Sequence, residues 1–403
     1  MQCEWISKRR KHCAVDDGKP FLRNPRPYMP ALSPSRGKGE FLNAKTVGSV
    51  MSILAGVGSL AGSRRGLLAR TAALAAGVAM GSVASPAIVR AQQSKRILKP
   101  IVAGLNAKAG DPTYESIARI ATILREKYGV EAEIQVHPSS VLGTDIQQLE
   151  AVQMGYIDIT SNVTAQFASM SDAFAFVDLP YAISSWEMFK RLIVSDLWKR
   201  QAAKFEAKVP LKVLPPVGAG GFRLLWNNKR ATSAPSDVNG LKFRTTNSPL
   251  EIALIRGWGG NPTPMAWTET YNALSSGVVD GIHVQPIWTY QFNLFEVLKY
   301  ATETKAVFAV QFQVLNIETW RSFPPEIQQA FMAAAHDAAD EANAMDEASE
   351  QGFRQKLMDK KIAIHTPSDA EMAEWRKPGE ALWTTMAKSV EPDTIKSLVA
   401  LRS

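Results

Sequence analysis

From about residue 97 onward, apolar positions switch repeatedly between a two-residue and a helical period. Residues 101–105 form a short apolar run of strand length. Asp111 then offers a helix N-cap with Pro112 at the first helical position, Ile117, Ile120, Ile123 and Leu124 recur at helical spacing, and Gly129 closes the segment. Val130, Ala132, Ile134 and Val136 alternate with polar residues as a strand does. Beyond Gly143, Ile146, Leu149 and Val152 mark a second helix, and Gly155 precedes a strand expected over 156–160. A β-α-β-α-β order predicts a parallel sheet covered by helices.

The pattern breaks over 213–221, where Pro215, Pro216 and three glycines cluster, and a second α/β stretch follows. This places an interlobe crossing near Gly218. Lobe I then spans about 97–218 plus C-terminal returns, and lobe II about 219–310. Pro324-Pro325 opens a long helix, about 325–358, with Ile327, Phe331, Ala334, Ala335 and Ala338 on one side. At ~1.5 Å per residue it is about 50 Å long, enough to buttress both lobes. The acidic, alanine-rich stretch from Asp337 to Glu350 lacks sustained apolar heptads and reads as a solvated helix face.

Charge divides the chain at about residue 91. Residues 1–91 carry 14 Lys/Arg against 4 Asp/Glu, and the remainder carries 32 against 34, so the overall +8 resides in the N-terminal segment. The remainder, 92–403, is mildly acidic, which argues against a broad nucleic-acid-binding face. Within the first segment, Ser63-Arg64-Arg65-Gly66-Leu67-Leu68 precedes a weakly apolar run from Thr71 to Ala84 and then Val89-Arg90-Ala91, with small residues placed for cleavage. These features predict a twin-arginine-type export signal and a periplasmic destination, the mature chain not itself spanning the membrane. Residues 1–62, rich in Pro, Gly, Lys and Arg, form an unusually long front, so translation is expected to start downstream of Met1. Both cysteines, Cys3 and Cys13, lie in this segment, leaving 92–403 without thiol chemistry.

The most informative candidates are Arg223 and Arg244, each following a short strand-like apolar run. A planar cation with paired N–H donors suits a ligand carboxylate, and two such groups facing one cleft would capture a small organic acid. No metal or cofactor is expected. The histidines His137, His283, His336 and His365 make no local metal motif, and the chain lacks a dinucleotide fingerprint, a P-loop and a nucleophile elbow. No catalytic residue is assigned.

Gly240-Leu241-Lys242-Phe243-Arg244-Thr245-Thr246-Asn247, the run from Gly257 to Leu274 containing Pro262-Thr263-Pro264-Met265-Ala266-Trp267, and Gly277-Val278-Val279-Asp280-Gly281 resemble the solute-binding subunit of TRAP (tripartite ATP-independent periplasmic) transporters, of the dicarboxylate-binding DctP-like group. Pro138 to Gly143, Gln153 to Ile159 and Asp178-Leu179-Pro180-Tyr181 extend the resemblance, which covers about 97–377.

The resemblance implies a two-lobed α/β fold of the periplasmic-binding-protein type (type II-like), with discontinuous lobes and a long lobe-spanning helix, closing around an organic acid. It implies that Arg244 makes the principal bidentate salt bridge to the ligand carboxylate, assisted by Arg223. Asn106 and Asn247 match ligand-binding asparagines, and Trp267 matches an aromatic residue packing on the ligand. An amide donates to carboxylate or hydroxyl oxygens, and an indole offers an apolar wall with one N–H. Where many relatives continue Asp-Gly with Gln-Glu-Asn-Pro, this chain has Asp280-Gly281-Ile282-His283-Val284-Gln285-Pro286, so His283 or Gln285 is the candidate for that role. Asn162, near the end of an early strand, is a further candidate. The implied partners are an organic acid anion and the small and large membrane permease subunits. Two other classes fit the arginines: an enzyme acting on a carboxylic acid with His283 as base, and a sensory binding module feeding a receptor.

Overall fold

The computed structural model describes Arg96, Ile97 and residues 99–386 and 390–402, and its two main sheets have six strands each. The described residues fall within one compact unit, Ile88–Ser403; the expected export signal lies outside them. The first sheet orders its strands Ile134–His137, Ile101–Leu105, Ile159–Val163, Phe308–Asn316 and Leu211–Val213, with Val217–Phe222 pairing the other end of Phe308–Asn316. Its first three strands run parallel, as the β-α-β-α-β pattern requires, and Phe308–Asn316 runs antiparallel to them. The second sheet is Asn261–Pro264, Lys242–Thr245, Gly281–Val284, Leu224–Asn227, Tyr300–Thr302 and Ala363–His365.

Local chemistry explains the first helix, Pro112–Tyr128. Asp111 accepts from the Thr113 backbone N–H at 2.9 Å, and Gly129 terminates the helix in the left-handed region at φ 64°. The third strand begins at Ile159, later than the apolar pattern suggests. Gly155 caps the preceding helix, Tyr156 is exposed, and Asp158 is spent on a turn, its carboxylate accepting from the Val102 N–H at 2.8 Å.

The chain passes between the sheets at Arg223, five residues beyond Gly218, because 217–222 still pairs in the first sheet. It returns after Tyr300–Thr302, and the whole of Phe308–Asn316 lies in the first sheet. The long helix, Pro325–Asp359, braces the outgoing strand. Here the structure corrects the reading of 337–350 as a solvated face. Asn343 and Asp346 are buried, accepting from the backbone N–H groups of Gly218 (2.8 Å) and Gly220 (2.7 Å). These N–H groups have no place in a regular ladder beside the bulge, so the helix supplies the acceptors. Gly220 is required there: at φ 88°, a Cβ would lie 2.3 Å from Ile287.

Candidate ligand-binding cleft

The two lobes meet at a narrow cavity of about 30 Å³. The lobe of the first sheet contributes Val163 and Gln311 from its strands, Asn106 from the turn after Ile101–Leu105 and Asp145 from a helix start. The second contributes Arg244, Thr246, Trp267, His283, Val284, Gln285 and Trp288, and Arg223 enters at the crossing.

Arg244 and Thr246 reach the cavity because alternate residues of an extended segment share a face. The Arg244 side chain is buried, donates one N–H to the Met265 carbonyl at 3.0 Å, and lies 5.6 Å from the centroid of the Trp267 ring. Its Nε has no hydrogen-bond partner. Burial lowers its pKa, opposed by Glu251 and Asp145, yet a guanidinium remains charged at neutral pH. Trp267 is itself fixed by Trp288 and Phe292, with ring centroids at 4.8 and 5.0 Å.

Arg223 is held differently. Its Nη1 meets Glu251 Oε1 at 3.3 Å, with both side chains buried, and the other Glu251 oxygen accepts from the Thr246 N–H (3.0 Å) and hydroxyl (2.5 Å). Asp178, half-buried nearby, accepts from Thr164; desolvation pushes its pKa up to about 6 against the pull of Thr164 and Arg223.

On the opposing wall, Asn106 is the centre of an amide network. Its carbonyl accepts from Ser140 (2.9 Å) and Gln148 (3.1 Å), and its amide donates to Asn162 (3.1 Å) and to Asp145. Asp145 stands at the first position of the helix Asp145–Met154, behind a Thr144/Gln147 capping box, and also accepts from Gln166 at 2.8 Å. Burial raises the Asp145 pKa, while Arg244 pulls it down.

His283 is buried in the strand Gly281–Val284 with neither ring nitrogen partnered, its ring edge-on to Trp258 at 5.5 Å. Burial, reinforced by Arg223, lowers its pKa to about 3. It is therefore neutral at pH 7, with one N–H to donate and one lone pair to accept. Gln285 precedes the helix Pro286–Gln291, its side-chain amide buried and unpartnered.

Six sequence candidates thus converge: Arg223, Arg244, Asn106, Trp267, His283 and Gln285 all line the cavity. Asn162 is buried one step behind, bonded to Asn106. Asn247 is exposed and outside the lining, since it follows Thr246 and so points away from the face shared by Arg244 and Thr246. Sequence reasoning missed Asp145, Gln311 and Glu251. For Asp145 the local pattern Thr144-x-x-Gln147 announces a helix start and nothing more, and only the folded chain brings that turn beside the separate one that carries Asn106. Nothing local marks Gln311 in an all-buried strand.

The description "bacterial extracellular solute-binding protein, family 7" matches residues 103–389. The chain belongs to this family. The family 7 chain is 27% identical to the 2,3-diketo-L-gulonate-binding periplasmic protein YiaO of Escherichia coli over 237 residues, 58% of this chain and 71% of YiaO. It is 28% identical to the C4-dicarboxylate-binding periplasmic protein DctP of Rhodobacter capsulatus over 280 residues, 69% of this chain and 83% of that protein. Among solved structures, a TRAP periplasmic solute-binding protein of Chromohalobacter salexigens with bound D-glucuronate superposes with a TM-score of 0.69 at 26% identity, covering 74% of this chain and 98% of that one. One from Shewanella oneidensis with bound succinate gives 0.72 at 20% identity, covering 76% and 100%, and supports the two-lobed fold alone. The family 7 protein is thus a periplasmic solute-binding protein of the TRAP type and not an enzyme. Among the described residues, no helix is long and apolar enough to cross a membrane.

Proposed function

We propose that this protein captures a small organic acid between its two sheets and delivers it to a TRAP permease of one small and one large subunit, after export by the twin-arginine route. One observation carries the reading. The buried cavity collects side-chain groups with no partner in the protein, namely Nε of Arg223 and Arg244, the Gln285 amide nitrogen and both His283 ring nitrogens. Buried polar groups are ordinarily satisfied, so this donor-rich set marks where an oxygen-rich anion completes the bonding.

Arg244 grips the carboxylate, Arg223 holds the second donor edge in place through Glu251, and Trp267 forms the wall. Asn106, backed by Asn162, and Gln285 orient the remaining oxygens. The two walls belong to different sheets, so a ligand touching both favours the closed arrangement over an open one. The acids named for relatives, diketogulonate, C4-dicarboxylates, D-glucuronate and succinate, share a carboxylate and support this reading.

A thermal-shift screen of organic acids on the exported, mature protein tests it. A bound acid raises the melting temperature with concentration by mass action. If no carboxylate moves the transition, while a neutral sugar or a cation does, the reading is wrong.

A further inference from the structure

Resting on that carboxylate-capturing cleft, we propose that it selects monoanionic acids bearing hydroxyl groups over dicarboxylates, and that Asp145 sets the choice. Only two cations, Arg223 and Arg244, stand among the residues lining the cavity. Arg223 is matched by Glu251, and the half-buried Asp178 lines an adjoining hollow with both. Asp145, 5% exposed, faces the same cavity from the opposite lobe. His283 brings no charge. Two guanidinium groups are therefore already set against three carboxyl groups before any ligand enters.

The first carboxylate of a ligand has Arg244. A second carboxylate, placed toward the wall of the first sheet, meets Asp145 and finds no further cation in the lining. Like charges in a site shielded from water repel strongly, and a buried charge needs a partner. A hydroxyl has the opposite fit. It donates to Asp145, whose two oxygens each accept a single amide bond and retain lone pairs, and it accepts from the Gln285 amide or from His283. The amides of Asn106 and Gln166 hold the Asp145 carboxylate in position, which makes it a fixed acceptor and not a mobile surface charge.

The test is calorimetric titration of the mature wild-type protein and the Asp145→Asn variant with matched pairs: gluconate and glucuronate against glucarate, and threonate against succinate. For the pair that binds, the wild type is expected to take the monoanion at least tenfold more tightly than the dianion, and Asp145→Asn to shrink or invert that ratio. A wild-type protein that binds glucarate or succinate as tightly as its monoanionic counterpart overturns the inference without touching carboxylate capture. So does an unchanged ratio in a variant that melts as the wild type does. Absence of binding by every acid in both classes overturns the capture reading, and this one with it. The wild-type ratio is decisive even if the variant does not fold.

Discussion

Arg223 and Glu251 form a buried ion pair, Nη1 to Oε1 3.3 Å, that joins the crossing segment between the sheets to the helix Pro249–Gly257. The same carboxylate holds Thr246, two residues beyond Arg244, so one acid fixes the surroundings of both arginines. Breaking such a pair by removing one partner leaves an uncompensated buried charge, at about 3–5 kcal/mol. Glu251→Gln is therefore expected to lower stability by an amount of that order, read by denaturant unfolding, and also to weaken acid binding in the molecules that remain folded. Stability within ~1 kcal/mol of wild type would show that the pair does not organise the site.

Gly220→Ala places a methyl group 2.3 Å from Ile287 and 2.9 Å from Gln285 at a backbone φ of 88°. Both the left-handed backbone and the overlap disfavour it. A loss of about 2 kcal/mol or more is expected in urea unfolding, by overpacking and strain together. Alanine at Gly110, where φ is also positive but open space surrounds the Cβ position, isolates the backbone part and should cost less.

His283 keeps its neutral form far below the usual histidine range, titrating at about 3, because burial and Arg223 oppose its charge. A depressed pKa contributes stability that is present above the unfolded value near 6.5 and lost as pH falls toward 3. Asp178 works in the other sense. Its raised pKa, about 6, contributes stability that is present below the unfolded value near 3.8 and lost as pH rises through 6. His283→Gln is expected to flatten the loss of stability between pH 6.5 and 4, and Asp178→Asn to flatten the loss between 4 and 6.5 in the rising direction. Nitrogen-15 shifts of the His283 ring that titrate near pH 6.5 in the folded protein would contradict its burial as a neutral group.

Much of this was readable before any coordinates. The Asp111 cap, Gly129 stop and Pro325 start follow from rules that act within a few residues, and the parallel strands follow from chain order. Arg223 and Arg244 were legible because a guanidinium following a short apolar run is an unusual residue in that place, and Trp267 was legible through the resemblance carried by Pro262-Thr263-Pro264-Met265-Ala266. Asp145 and Glu251 were not, because their meaning comes from the opposite wall or a neighbouring helix, and a lone acid in a helix start looks like any capping charge. Asp346 was misread for a related reason. Its sequence neighbours Met345 and Ala348 are exposed, and the backbone of Gly220, 126 positions away, explains why it is buried.

The central claim is that Arg244 supplies the charge that grips the ligand, and calorimetric titration of wild type and Arg244→Ala with an acid identified by thermal shift tests it most directly. Truncating one member of a buried, charge-assisted pair is expected to cost roughly 2–5 kcal/mol in binding, about 30-fold or more in Kd, with folding preserved because Arg244 makes one backbone bond within the protein. An Arg244→Ala protein that binds the acid with wild-type affinity would contradict the account.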